Sequence, residues 1–151
     1  MAFLKSNHTY RESAKKIANL SFAIGVYRPP SEGGSASLLL RITENCPWNK
    51  CTFCEMYKGQ PFVYRSVADI KADIDTVKAI SDELATVSGK MGQGGRITGE
   101  RGMAILQADP SLNNNYCFIT VFNWLHSGGK TAFLQDDDSM IMRSHEIIEA
   151  L

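Results

Sequence analysis

Three features of the sequence predict an α/β fold with parallel strands. A short apolar run, Ser37 to Thr43, is bounded by turn residues; a long amphipathic helical pattern begins near Ser66; and a second short apolar run, Thr131 to Leu134, follows a further helical stretch. Strands that alternate with helices pack as parallel βα units, because joining parallel neighbours takes a crossover long enough to hold a helix. Two such strands cannot bury both of their own faces, and a full βα barrel takes roughly 200 residues or more. The expected fold is therefore the N-terminal portion of a partial βα (TIM-like) barrel, incomplete within these 151 residues.

The elements follow in order. Tyr10 to Ile24 reads as a helix, with Ile17, Leu20 and Ile24 at helical spacing and Gly25 ending it. Lys15 and Lys16 fall on its solvated face. Tyr27 to Gly34, with two prolines and two glycines, reads as a linker, so residues 1–36 form a helix-and-linker unit before a core domain at 37–151. Ser37 to Thr43 is a buried strand of the parallel type, and the loop Asn45 to Gly59 follows it directly. Ser66 then caps a helix whose stripe is Val67, Ile70, Ile74, Val77 and Leu84, with Asp69, Lys71, Asp73 and Asp75 on the opposite face. Ser88 to Gly102 is rich in glycine and reads as a flexible excursion; no strand leads into it, so it is not a dinucleotide fingerprint. Asn113 to His126 is a second helix stopped by Gly128 and Gly129, Thr131 to Leu134 a strand, Gln135 to Ser139 an acidic loop, and Ser144 the cap of a last helix reaching Leu151.

Charge and composition narrow the function. Lys+Arg and Asp+Glu both number 16, so nothing electrostatic argues for nucleic acid or an anionic membrane as partner. No apolar run approaches the roughly 20 residues that span a bilayer. The first residues mix Lys5, Asn7 and His8 into apolar surroundings, unlike a secretory signal. A cytoplasmic protein is expected. In a reducing compartment, three of the four cysteines lying within nine residues argue for a metal site rather than disulfides.

Those three are Cys46, Cys51 and Cys54, in the segment Cys46-Pro47-Trp48-Asn49-Lys50-Cys51-Thr52-Phe53-Cys54. Cys51 and Cys54 have the two-residue separation common to paired ligands of one centre. A structural zinc takes four ligands, and a four-iron cluster normally takes four cysteines. Three cysteines on such a cluster leave one iron open, and an open position is what chemistry requires.

A strand followed by three cysteines, the last pair written Cys-x-aromatic-Cys, resembles the radical S-adenosylmethionine (radical SAM) superfamily. Tyr27-Arg28-Pro29-Pro30-Ser31-Glu32, then Cys46 through Cys54 continuing as Glu55-Met56-Tyr57-Lys58, and later Phe133-Leu134-Gln135-Asp136-Asp137-Asp138-Ser139, resemble one of its subgroups, the radical SAM proteins or iron–sulfur oxidoreductases. The resemblance implies that Cys46, Cys51 and Cys54 hold a 4Fe-4S cluster. It implies that the open iron binds S-adenosyl-L-methionine and that one electron cleaves this cofactor reductively to methionine and a 5′-deoxyadenosyl radical. It further implies a low-potential electron donor of the ferredoxin or flavodoxin type, a substrate the sequence does not reveal, and Phe53 beside the adenine. Four residues separate the first two cysteines, as in that subgroup, where the commonest superfamily spacing is three. The superfamily's Gly-Gly-Glu segment, which holds the methionine amino group, is absent. Asp136, Asp138 and Ser139 stand at the corresponding place, where a carboxylate would accept hydrogen bonds from an ammonium.

Other readings compete. A zinc site would draw a fourth ligand from Cys117, His126 or His145. Cys117 lies in an apolar helix where a free cysteine is usually a small core residue, His126 suits a helix end, and His145 suits an exposed first turn. Asp136-Asp137-Asp138 lacks the alternating pattern of a calcium loop and reads equally as a solvated turn. Trp48 and Tyr57 either shield a metal centre or pack the loop, and Arg65 either meets the cofactor carboxylate or lies on the surface. The remaining alternatives are a non-catalytic zinc- or iron–sulfur-binding module and a truncated, inactive fragment of a longer radical SAM protein.

Overall fold

Leu38, Leu39 and Leu40 are all buried, and the strand they form is the one around which the chain is organised. The structure, a computed structural model, describes residues 2–26, 37–90 and 97–151. In chain order the elements are α1 (Ala2–Ala18), β1 (Leu38–Arg41), β2 (Thr43–Glu44), β3 (Val63–Tyr64), α2 (Val67–Lys90), α3 (Gly99–Ala108), a 3-10 turn (Pro110–Asn114), α4 (Tyr116–His126), β4 (Ala132–Gln135), a second 3-10 turn (Ser139–Ile141) and α5 (Ser144–Ala150). The described residues are thus mixed α/β with five helices, and their strands make two two-stranded sheets without closing a barrel.

The parallel pairing holds. β1 and β4 run side by side, with Leu38 opposite Ala132 and Arg41 opposite Gln135. The expected strand Ser37 to Thr43 divides at Ile42: its first part pairs with β4, and Thr43 and Glu44 pair antiparallel with Tyr64 and Val63. The short β3 escaped notice because two exposed residues carry no periodicity.

α2 is the central helix, lying against α1, α4, α5 and β1. Its Ser66 cap is real: the Asp69 amide donates to Ser66 Oγ at 3.1 Å. Ile70, Val77, Ile80, Leu84 and Val87 are buried along its stripe, and they meet Tyr10, Ala14 and Ile17 of α1, Ile105 of α3 and Phe118 and Val121 of α4 in one core. No helix among the described residues is long and apolar enough to cross a membrane.

Other boundaries also differ from expectation: β4 covers Ala132–Gln135, one residue later than expected. α1 covers Ala2–Ala18, not Tyr10 to Ile24. Leu20 and Ile24 still pack on the core, but from an irregular segment whose Phe22 and Ala23 amides donate to the Cys117 and Asp73 side chains. The Gly-rich stretch 88–102 is not one excursion: Ser88 to Lys90 complete α2, and Gly99 to Gly102 begin α3. Residues 91–96 and the expected linker Tyr27 to Gly34 lie outside the described residues. α4 begins at Tyr116, because Asn115 caps it by accepting from the Phe118 amide at 2.9 Å; Asn113 lies in the preceding 3-10 turn. Finally, Arg143, not Ser144, occupies the cap position of α5.

Candidate functional site

The three cysteines lie on one closed loop between β2 and β3. The pairs Thr43–Tyr64 and Glu44–Val63 close its neck. Asn45 and Asn49 adopt left-handed backbone conformations (φ 65° and 45°), which asparagine tolerates better than other residues bearing a Cβ. Both then reach across the loop: Asn45 Nδ2 donates to the Pro61 carbonyl at 2.7 Å and Asn49 Nδ2 to the Gln60 carbonyl at 2.9 Å. The local sequence therefore folds the near arm onto the far arm.

Cys46, Cys51 and Cys54 are free thiols, each partly exposed. The Asn49 amide donates to Cys46 Sγ at 3.4 Å. Such N–H···S bonds are among the protein's means of tuning a metal-bound sulfur. Phe53 is 86% exposed, and an open depression of about 580 Å³ is lined by Phe53, Cys54, Glu55 and Met56. Trp48 is exposed too, with Lys50 Nζ 5.4 Å from its ring centroid, whereas Tyr57 is buried. Of the two aromatics flanking the cysteines, Tyr57 packs the loop.

Among the described residues, no three His, Cys, Asp or Glu side chains converge as ligands of one ion. The possible fourth ligands are on other elements. Cys117 is buried in α4, His126 Nδ1 stands 3.3 Å from the Ile97 carbonyl with its ring stacked on Phe122, and His145 is exposed in the first turn of α5.

Asp136 stands at the end of β4, beside the start of the cysteine loop. Its side chain is 0% exposed. Oδ2 accepts from Arg41 Nη2 at 2.7 Å, Arg41 Nε at 3.1 Å and the Asn45 amide at 3.1 Å; Oδ1 accepts from the Tyr57 hydroxyl. Both oxygens are thus hydrogen-bonded, Oδ2 by three donors and Oδ1 by one, and the buried charge is paired with the Arg41 guanidinium. The acidic loop is consequently not a uniformly solvated turn: Asp136 is inside, and Asp137 and Asp138 are exposed. Ser139 is buried, its hydroxyl donating to the Asp136 carbonyl at 3.5 Å. Arg41 was the missed signal. A charge closing an apolar run, Leu38-Leu39-Leu40-Arg41, calls for a buried partner.

Arg65, read as meeting the cofactor carboxylate or lying on the surface, and Asp73, placed on the polar face of the helix, also form a largely buried pair. Arg65 Nη1 donates to Asp73 Oδ2 and to the Arg41 carbonyl, both at 2.6 Å, and Asp73 also accepts from the Ala23 amide at 3.3 Å. The attraction between the two charges and these hydrogen bonds offset the cost of desolvating them.

Comparison with protein-family models, with curated proteins and with solved structures finds no match for this chain.

Proposed function

We propose that this chain is a radical SAM enzyme, or the cluster-bearing segment of one, and that Cys46, Cys51 and Cys54 hold a 4Fe-4S cluster. One observation carries the reading: three partly exposed thiols share a single closed loop at the C-terminal end of a parallel strand pair, while the fourth cysteine is buried in a helix. In βα barrels that end of the strands is where chemistry is done.

The donor set suits a cluster. Cysteine thiolates are the ligands of iron–sulfur clusters, and three of them on a four-iron cluster leave one iron open for a cofactor. When bound, the cluster would supply one low-potential electron to break a carbon–sulfur bond of S-adenosyl-L-methionine. The chain's own residues would do the rest. The Asn49 amide would stabilise the Cys46 thiolate. Phe53 and Met56 would present an apolar surface to the adenine in the depression beside Cys54. Asp138 and Ser139 remain the groups proposed for the methionine end. A ferredoxin- or flavodoxin-type donor, a cytoplasmic setting and a barrel completed by further strands belong to the same proposal.

The test is anaerobic reconstitution with iron and sulfide, followed by metal analysis. The wild-type chain should take up about four irons per chain, and Cys46→Ala, Cys51→Ala and Cys54→Ala should each lose the cluster. Stoichiometric zinc in place of iron would refute the proposal.

A further inference from the structure

We infer that Asp136 is a positioning residue that fastens both ends of the cysteine-bearing segment to the ends of the parallel strands. The inference rests on the cluster reading of the loop. Asn45 immediately precedes Cys46, and Tyr57 comes three residues after Cys54. The Asn45 amide and the Tyr57 hydroxyl converge on the same carboxylate. That carboxylate is itself anchored to β1 through two donors of Arg41, whose position pairs with Gln135 in the sheet register. The chain entering the cysteine segment and the chain leaving it are thus bound to one buried point at the strand ends.

Other contacts hold this point in place. Gly25 lies so close that a Cβ there would come 2.6 Å from Asp136 Oδ1. The Gly25 amide donates to Gln135 Oε1 at 2.8 Å, and Gln135 Nε2 donates to the Gly25 carbonyl at 3.3 Å. Backbone is packed over one side of the carboxylate and Arg41 over another. With four donors on its carboxylate and a side chain without exposed surface, Asp136 acts through the loop and not by touching a bound molecule. Its charge fixes where the three thiols stand relative to the sheet.

Amide hydrogen exchange on the chain before and after iron–sulfide reconstitution tests this. Tyr57→Phe removes one hydroxyl from the carboxylate and keeps the ring. It should speed exchange across residues 45–57 by on the order of tenfold while amides of α2 exchange as in the wild type. Asp136→Asn should loosen the same segment more strongly. If it does not fold, Tyr57→Phe alone decides. In the loaded protein, Tyr57→Phe should also alter the g-values of the reduced cluster. Unchanged exchange at 45–57 in Tyr57→Phe would overturn the inference, as would acceleration spread equally through α2. If the wild type takes up no cluster, the functional proposal falls, and the exchange result still decides the role of Asp136.

Discussion

Cys117 and Phe22 exchange a reciprocal pair of hydrogen bonds: the Phe22 amide donates to Cys117 Sγ and the thiol donates back to the Phe22 carbonyl, each at 3.3 Å. The pair ties the irregular segment after α1 to α4 across the core. It gives the fourth cysteine a structural occupation of its own. Cys117→Ala should therefore retain the iron and sulfide content of the wild type, at a stability cost of about 1–2 kcal/mol for the lost contacts. Metal analysis beside thermal unfolding checks both halves, and loss of the cluster in this variant would point to a four-cysteine site.

The same thiol predicts a dependence on alkaline pH. Burial pushes the Cys117 thiol above its ordinary value, and this outweighs the opposing hydrogen bond from Phe22; the nearby charge of Asp73 pushes the same way as burial. A group whose folded value is raised contributes its stability fully below its unfolded value and loses it as pH rises. Unfolded thiols ionise from about pH 8.5. Wild-type stability should thus fall more steeply than that of Cys117→Ala above that pH, measured by denaturant unfolding at several pH values. Parallel slopes would contradict the assignment.

Gly102 is a packing position and not a loosened one. A Cβ there would come 2.3 Å from the tip of the Phe122 ring, and Phe122 is held by stacking on both Phe118 and His126. The ring has little freedom to give way. Gly102→Ala should destabilise the fold by about 1–3 kcal/mol despite alanine's better helix propensity. An increase in melting temperature would show that the α3–α4 contact is softer than this.

Gly25→Ala should be costly for a related reason. The new methyl group would press on the Asp136 carboxylate, which Arg41 and Tyr57 hold in place. Displacing one partner of a buried ion pair costs about 3–5 kcal/mol at the extreme. The variant should lose at least half of that stability, and its cysteine loop should become more accessible to thiol reagents. Wild-type thiol reactivity would contradict the link between Gly25 and the loop.

The α/β class, the Ser66 cap, the α2 stripe and the parallel β1–β4 pair were legible because burial writes itself into apolar spacing. Gly102 was misread because glycine marks close approach of two helices as readily as flexibility, and only the partner, Phe122, tells them apart. Leu20 and Ile24 kept helical spacing outside the helix because an irregular segment can feed the same core. The three cysteines were visible from spacing alone. The Asp136 network was not, since its members, Gly25, Arg41 with Asn45, Tyr57 and Asp136, come from four stretches of chain that the fold brings together at the β1–β4 ends.

The proposed cluster has three cysteine ligands and one open iron. Electron paramagnetic resonance of the reconstituted, reduced protein, recorded with and without S-adenosyl-L-methionine, tests it most directly. A cluster with an open iron should give a reduced signal whose g-values shift when the cofactor is added. A cluster signal indifferent to the cofactor would contradict it, because every iron would then already have its ligand.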